Sequence, residues 1–311
     1  MRQRKLYPHA KELLNNKMKK KILIIGFGNM GKSHLQSFVD KNFIIHVVEK
    51  REIEIGFFKK KNVFFFKKIP KNQKYLLTIS ATQSKERFSL IKKFFENNNT
   101  EFLLLEKFCF YSIYQFEKFK NLYNFRTKTF VNSWSYIVAS KFNIFKTIKK
   151  FDLYCEVAEG NLLSNISHIL HLFGYINKNK SISKIFKDNY KRINSSKRRN
   201  YDELIGSIKI HDMDSNILKI STKKNMSNLM NFYICPKKTK MIYKISLKDN
   251  SKIYYFINEN LIKIIKFPFS KKTSYSFLKN SVNNKFNYMP TFLNDYKFSK
   301  KFLESFKVKI P

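Results

Sequence analysis

Residues Lys21–Leu35 read KILIIGFGNMGKSHL. An apolar run stops at three glycines within six positions, and a polar, helix-compatible segment follows. The whole chain has only 7 glycines in 311 residues, so this concentration needs a physical cause. Gly26, Gly28 and Gly31 spell Gly-x-Gly-x-x-Gly, with Phe27, Asn29 and Met30 between them. A buried-type strand, Ile22–Ile25, precedes the motif, and a helix is expected over Lys32–Lys41. In that setting Gly26 permits the tight turn off the strand. Gly28 lets a pyrophosphate approach the backbone, and Gly31 lets the helix lie close against the strand. The helix N-terminus then presents free N–H groups and partial positive charge to the phosphates. Glu49 closes the next strand, Ile44–Val48, 18 residues after Gly31, at the place where an acid accepts hydrogen bonds from ribose hydroxyls. Lys50 and Arg51 follow at once and could serve a 2′-phosphate. NAD and NADP both stay open, with NAD favoured.

Outward from the motif, apolar runs alternate with helical patterns. Val63–Phe66, Tyr75–Ala81, Glu101–Lys107 and Thr129–Trp134 read as strands. The segment from Ser84 places Phe88, Ile91, Phe94 and Phe95 on one helical stripe, and Tyr114–Tyr123 reads as another helix. Continuous apolar strands alternating with helices predict a parallel sheet covered on both faces. The fold class expected is therefore α/β, with a Rossmann doubly wound domain over 19–134. Residues 135–311 differ. A helix near Leu162–Ile176 is followed by strand-like runs at Ile205–Ile210, Ile217–Thr222, Phe232–Cys235, Met241–Leu247, Lys252–Ile257 and Leu261–Phe267. Short polar breaks separate them, which predicts an α+β domain with a mostly antiparallel sheet. Lys178–Asn200 reads as a strand plus an exposed loop. A closing helix begins at Pro290 and Thr291 and is expected to return to the first domain. Residues 1–18 read as an N-terminal extension, a disordered lead-in, with Met18 as an alternative start.

Composition limits the function classes. Hydrophobic residues make up 43% and charged residues 27%, as in globular proteins. The net charge of +40 would suit a nucleic-acid binder. Only eight of the 62 basic residues are Arg, however, and the lysines are scattered along a chain also crowded with Asn, Ile, Phe and Tyr. These residues share AT-rich codons, so compositional bias explains the charge and no specific nucleic-acid partner is expected. Cys109, Cys155 and Cys235 are far apart and odd in number, which fits a reducing cytoplasm rather than a disulfide framework. No run approaches the roughly 18 apolar residues of a membrane span, so no membrane partner is expected, and the N-terminus lacks the apolar centre of a secretory signal.

From Lys19 on, the chain resembles the Gfo/Idh/MocA family of NAD(P)-dependent, mostly sugar-directed oxidoreductases. GFGNMGKSH carries His34 at the family's usual place. ISATQSKERFSLI, Ile79–Ile91, is similar to the strand ending in Ala-Thr-Pro, with Gln83 for the proline. LLLEKF, Leu103–Phe108, resembles the strand ending in Glu-Lys-Pro. NLLSNISHILHLFGY, Asn161–Tyr175, resembles the helix that carries an Asp and a His toward the substrate, and MPTFLNDYKFSKKFLESF resembles the closing helix.

The resemblance implies a dinucleotide held by Gly26, Phe27, Gly28, Asn29, Met30, Gly31, Glu49, Lys50, Ala81, Thr82, Gln83 and Glu106. It implies a sugar, nucleotide-sugar or polyol substrate met by Lys107, Trp134, Ser164, Asn165, His168 and His171. Lys107 would hydrogen-bond the reacting hydroxyl and His168 would take its proton. Loss of a hydride from a carbinol carbon requires loss of the O–H proton, which suits an imidazole, while an ammonium stabilises the developing alkoxide. Three positions depart from the family. Phe108 replaces a proline associated with a cis bond, Asn165 and Ser164 stand where an Asp is usual, and His171 stands where a second Asp is common. A catalytically impaired dinucleotide-binding sensor or scaffold of the same fold is therefore the alternative. His168 and His171 at i, i+3 lack a third ligand, so no metal is expected. Asp202 and Glu203 read as solvated. By resemblance, the outer face of the antiparallel sheet would pair subunits into a homo-oligomer.

Overall fold

The computed structural model describes residues 20–52, 56–58, 60–122, 127–194, 201–227, 229–247, 252–266, 273–283 and 289–308. The expected N-terminal extension, and the 195–200 part of the loop expected after Lys178, lie outside the described residues.

Six strands make the first sheet: β1 (Lys20–Ile25), β2 (Phe43–Val48), β3 (Val63–Phe66), β4 (Lys74–Ser80), β5 (Asn99–Glu106) and β6 (Lys128–Asn132). All pairs are parallel, and the order is β3-β2-β1-β4-β5-β6. Ile22 sits opposite Ile45 on one side and Leu77 on the other. Ile22, Leu23 and Ile24 are fully buried, as continuous apolar strands must be when helices cover both faces. The covering helices include α1 (Asn29–Gln36), α2 (Ser84–Asn97) and α3 (Ile113–Leu122). Strand order, not strand direction, reverses between β1 and β4, so the connections leave β1 and β4 toward opposite faces and open a crevice at the carboxyl ends of the strands.

After β6 come α4 (Trp134–Ser140), α5 (Ile144–Thr147), β7 (Phe151–Ala158) and α6 (Leu162–Ile176). The second sheet adds β8 (Ile182–Asn194), β9 (Asp202–Asp212), β10 (Ile217–Lys223), β11 (Met230–Pro236), β12 (Tyr243–Leu247), β13 (Lys252–Ile257) and β14 (Asn260–Lys266). Its order is β14-β13-β12-β11-β7-β10-β9-β8, antiparallel except for β7 with β10. The central strand β7 is not among the strands expected from sequence. Phe151, Leu153, Cys155 and Val157 alternate inward, the period-2 signal of a half-buried strand.

Two helices follow: α7 (Thr273–Val282) and α8 (Phe292–Phe306). Although α7 follows the second sheet in the chain, Phe277, Leu278 and Val282 pack with Ile22, Ile24 and Leu104 of the first. Thr291 Oγ1 accepts the Asn294 N–H at 3.3 Å and caps α8. Just before it, Pro290 O accepts the Val131 N–H at 2.9 Å, which covers the open edge of β6. The helix α8 then lies on α6, α3, β6 and β8. One apolar core accordingly runs from Leu103, Leu105 and Val131 through Leu163, Ile166 and Phe173 to Leu153 and Ile220. This shared core joins the two sheets and holds α6 over the crevice.

Candidate active site

The three glycines of the opening motif do three different things. Gly26 has φ +94°, a left-handed conformation that glycine tolerates. A Cβ on Gly31 would lie 2.0 Å from Gly26 O, so helix and strand touch through that position. A Cβ on Gly28 would meet nothing within 4 Å. Gly28 precedes α1 with no side-chain cap, and the first turn of α1 carries no acid. Gly28, Asn29 and Met30 wall a cleft of about 730 Å³, within the usual range for small-molecule sites. A backbone bare of side chains at a helix N-terminus is what a diphosphate requires, so these residues fit a dinucleotide.

The other walls come from the carboxyl ends of neighbouring strands. Ala81, Thr82 and Gln83 follow β4; Glu106, Lys107 and Phe108 end β5; Asn132 and Trp134 follow β6. The Lys107–Phe108 peptide bond is cis. The turn is clamped by Arg87 of α2, which is 2% exposed. Its guanidinium donates to the carbonyls of Glu106 (2.6 Å), Phe108 and Cys109 (2.8 Å), and to that of Thr82. Glu106 faces the cleft with its carboxylate engaged by His34 Nε2 at 2.8 Å and by Asn132 Nδ2. Burial opposes its charge, but His34, Asn132 and Arg87 more than compensate and hold the carboxyl below its usual range. His34 Nδ1 lies 2.6 Å from Ser274 Oγ, which ties α7 to the same network.

The opposite wall is α6. Leu163, Ser164, Asn165 and His168 line the cleft from it. Lys107 Nζ donates to Ser164 O, bridging β5 and α6. His168 is 5% exposed, its Nδ1 is 2.9 Å from Ser133 Oγ, and Trp134 lies on its ring with centroids 4.7 Å apart. Burial, then the charge of Lys107, then His171, hold this imidazole well below its ordinary pKa. His168 is therefore neutral at neutral pH and able to accept a proton. Glu203, expected to be solvated, is 3% exposed, and its Oε1 accepts the Leu163 N–H at 2.7 Å, where it caps α6. Asp202, expected to be solvated too, is 5% exposed and pairs with Arg192 at 2.8 Å. Both acids lie buried at the start of β9, Glu203 against α6 and Asp202 against β8.

Of the residues singled out from sequence, Gly28, Asn29, Met30, Ala81, Thr82, Gln83, Glu106, Lys107, Trp134, Ser164, Asn165 and His168 share the cleft. Others stand outside its lining. Gly26 and Gly31 act through packing. Phe27 turns its ring into the core against Phe58 and Phe65, and its N–H donates to Glu49 Oε2 at 3.0 Å. Burial opposes ionisation of Glu49, but hydrogen bonds from Arg51 and Phe27 outweigh it and pull the carboxyl down to about 2. Lys50 is exposed. His171 is 1% exposed, with Nε2 2.8 Å from Oδ1 of the fully buried Asp295 on α8. Three residues on, it is turned about 60° from His168 around the helix, and it meets Asp295 of α8 in the interior rather than lining the cleft. Reading the sequence missed Arg87, Asn132, Ser133 and Tyr201. Tyr201 Oη donates to Gln83 Oε1 at 3.3 Å, across the mouth of the cleft.

No protein-family model matches the sequence, and none of the curated proteins matches it. Solved structures do. UDP-N-acetylglucosamine 3-dehydrogenase GnnA from Acidithiobacillus ferrooxidans has 9% identity over 92% of this chain and 96% of its own, with a TM-score of 0.66. The transcriptional regulator Gal80p from Kluyveromyces lactis has 14% identity over 93% and 91%, with a TM-score of 0.65. A myo-inositol dehydrogenase from Lactobacillus casei, solved with NAD(H) and myo-inositol, has 8% identity over 91% and 92%, with a TM-score of 0.58. At these identities the likeness is one of fold, and the fold is the two-domain architecture of the Gfo/Idh/MocA dehydrogenases.

Proposed function

We propose that this chain, built on the Gfo/Idh/MocA fold, is an NAD(P)-dependent oxidoreductase acting on a carbinol of a sugar, nucleotide sugar or polyol. One observation carries the reading: the same cleft is lined by the bare glycine loop and by Lys107 with a neutral, buried His168. Gly28, Asn29 and Met30 would hold the diphosphate, with Ala81, Thr82 and Gln83 along the dinucleotide. When bound, the nicotinamide supplies the hydride acceptor or donor.

The protein's own residues handle the proton and the charge. The substrate hydroxyl sits between Lys107 and His168. As the carbinol carbon gives up its hydride, the imidazole takes the hydroxyl proton and the ammonium stabilises the charge developing on oxygen. The reverse direction uses the same groups with the imidazolium as acid. Ser164 Oγ donates to Asn161 O at 3.0 Å, and Asn165 Nδ2 is bonded to Asn161 O at 2.9 Å and Ser164 Oγ at 3.2 Å, so Asn165 offers its amide oxygen as acceptor to a neighbouring substrate hydroxyl. Neither is a carboxylate base, which leaves His168 as the proton acceptor. Ile137, Leu229 and Leu247 line the same cleft and keep water from the reacting carbon.

Two features support NAD over NADP. Glu49 is held ionised, and Arg51 is already paired with it at 3.2 Å. The second reading, a dinucleotide-binding sensor or scaffold, draws on the replacement of the family's Asp by Asn165 and Ser164 and on the regulator among the structural neighbours. The reaction is tested by calorimetric titration with NAD and NADP, then by a panel of polyols and nucleotide sugars read through NADH absorbance. Turnover with Lys107→Ala and His168→Gln inactive supports the oxidoreductase. Tight dinucleotide binding with no turnover across the panel favours the sensor.

A further inference from the structure

We infer that Ser133 and Ser135 are positioning residues that fix the tautomer of His168, placing its proton on Nδ1 and leaving Nε2 as the bare nitrogen in the cleft. The inference rests on the reading of His168 as the base, and it supplies what the missing carboxylate would otherwise do.

Each serine hydroxyl has one proton to donate. Ser135 Oγ is bonded to the backbone carbonyl of His168. A carbonyl only accepts, so Ser135 must donate its single hydroxyl proton there. Ser133 Oγ lies 3.2 Å from Ser135 Oγ. Since the Ser135 proton is spent, Ser133 donates and Ser135 accepts. The Ser133 proton is then spent too. In the remaining contact, 2.9 Å between Ser133 Oγ and His168 Nδ1, the serine can only accept, so Nδ1 carries the hydrogen. Both serines are fully buried, so no water competes for these protons. The chain runs from the ring through two hydroxyls and closes on the backbone of the same residue.

A neutral imidazole has one N–H, and here it is used in the interior. Burial and the neighbouring ammonium of Lys107 keep the ring neutral. His168 borders the cleft, and since Nδ1 is bonded to the buried Ser133, Nε2 is the ring nitrogen left for the cleft. Trp134 holds the ring plane from the side. Moving the proton to Nε2 would require Ser133 to donate to Nδ1, and Ser135 would lose its donor inside the protein. That exchange gives up a buried hydrogen bond and blocks the base at the same time.

The test uses the full chain labelled with 15N-histidine. The His168 signals are identified by their loss in His168→Gln. The expected spectrum has a pyrrole-type Nδ1 and a pyridine-type Nε2. Ser135→Ala frees the Ser133 proton, so the Nε2–H tautomer should gain population, and kcat should fall about tenfold or more with KM little changed. Ser135→Thr keeps the hydroxyl and should restore both. A wild-type His168 protonated on Nε2 overturns the inference, as does a Ser135→Ala spectrum identical to wild type. The spectrum needs neither substrate nor turnover. The expected tautomer in a protein inactive on the whole substrate panel would therefore sink the oxidoreductase reading and leave the serine relay standing.

Discussion

Arg87 is the residue whose replacement should most disturb the site without touching substrate. Its guanidinium serves four carbonyls, three of them on the turn that carries Lys107. Arg87→Met keeps the length and the apolar stem but removes every donor. Each hydrogen bond to a charged group is worth about 1.5–3 kcal/mol. The four do not simply add, because Arg87 borders the cleft and water can reach part of the vacated space. Leaving a buried carbonyl without its donor costs about 1–3 kcal/mol, so with partial rescue by water the expected destabilisation is about 3–5 kcal/mol. Set against a total of about 5–15 kcal/mol, the variant should fold but melt well below wild type. Arg87→Lys retains the charge without the planar fork and should lose about half as much. Urea unfolding gives the stability. Kinetics should show kcat reduced more than dinucleotide affinity, because three of the four carbonyls lie on the turn that carries Lys107 and only that of Thr82 lies along the dinucleotide. An Arg87→Lys protein as stable and as active as wild type would refute the clamp.

Other consequences can be checked together. Gly31→Ala places a methyl 2.0 Å from Gly26 O and should cost about 3 kcal/mol in unfolding experiments. Because His168 has a folded pKa depressed below 6.5, its contribution is complete above pH 6.5 and is lost as pH falls below it. The unfolding free energy should therefore drop by up to about 1.4 kcal/mol per pH unit below 6.5, and His168→Gln should flatten that slope. Glu203→Ala uncaps α6 and should cost about 1 kcal/mol, with a raised KM because Ser164 and Asn165 sit in the same first turn.

The Rossmann half was readable because its signals are local. The apolar runs of β1, β2, β4 and β5 and the glycine spacing each lie within a few residues, and their physics needs no partner elsewhere. The residues expected around the ligand came from the resemblance, which rests on the ordered set of short motifs at those strand ends and on α6. What escaped notice depends on distant chain segments. Arg87 is a lone arginine on a helix in a lysine-rich chain, and its burial is decided by carbonyls about twenty residues later. Glu203 reads as a surface acid until β9 passes beneath the first turn of α6. His171 shares a helix with His168, but its direction is set by Asp295 on α8. The strand β7 carried a readable alternation in Phe151, Leu153, Cys155 and Val157, and its place at the centre of the second sheet comes from pairing with β10 and β11.

The central claim is that the glycine loop receives a diphosphate, and Gly28 tests it in isolation. Its φ of −70° suits any residue, and a Cβ there meets nothing in the protein. Gly28→Ala should leave stability unchanged or raise it by up to about 1 kcal/mol, while the new methyl occupies the space a pyrophosphate needs. Calorimetric titration of NAD into wild type and Gly28→Ala decides the matter. The account predicts binding to the wild type and at least a tenfold loss in an equally stable variant. Equal affinity in both proteins, or no binding to either NAD or NADP by the wild type, would contradict it.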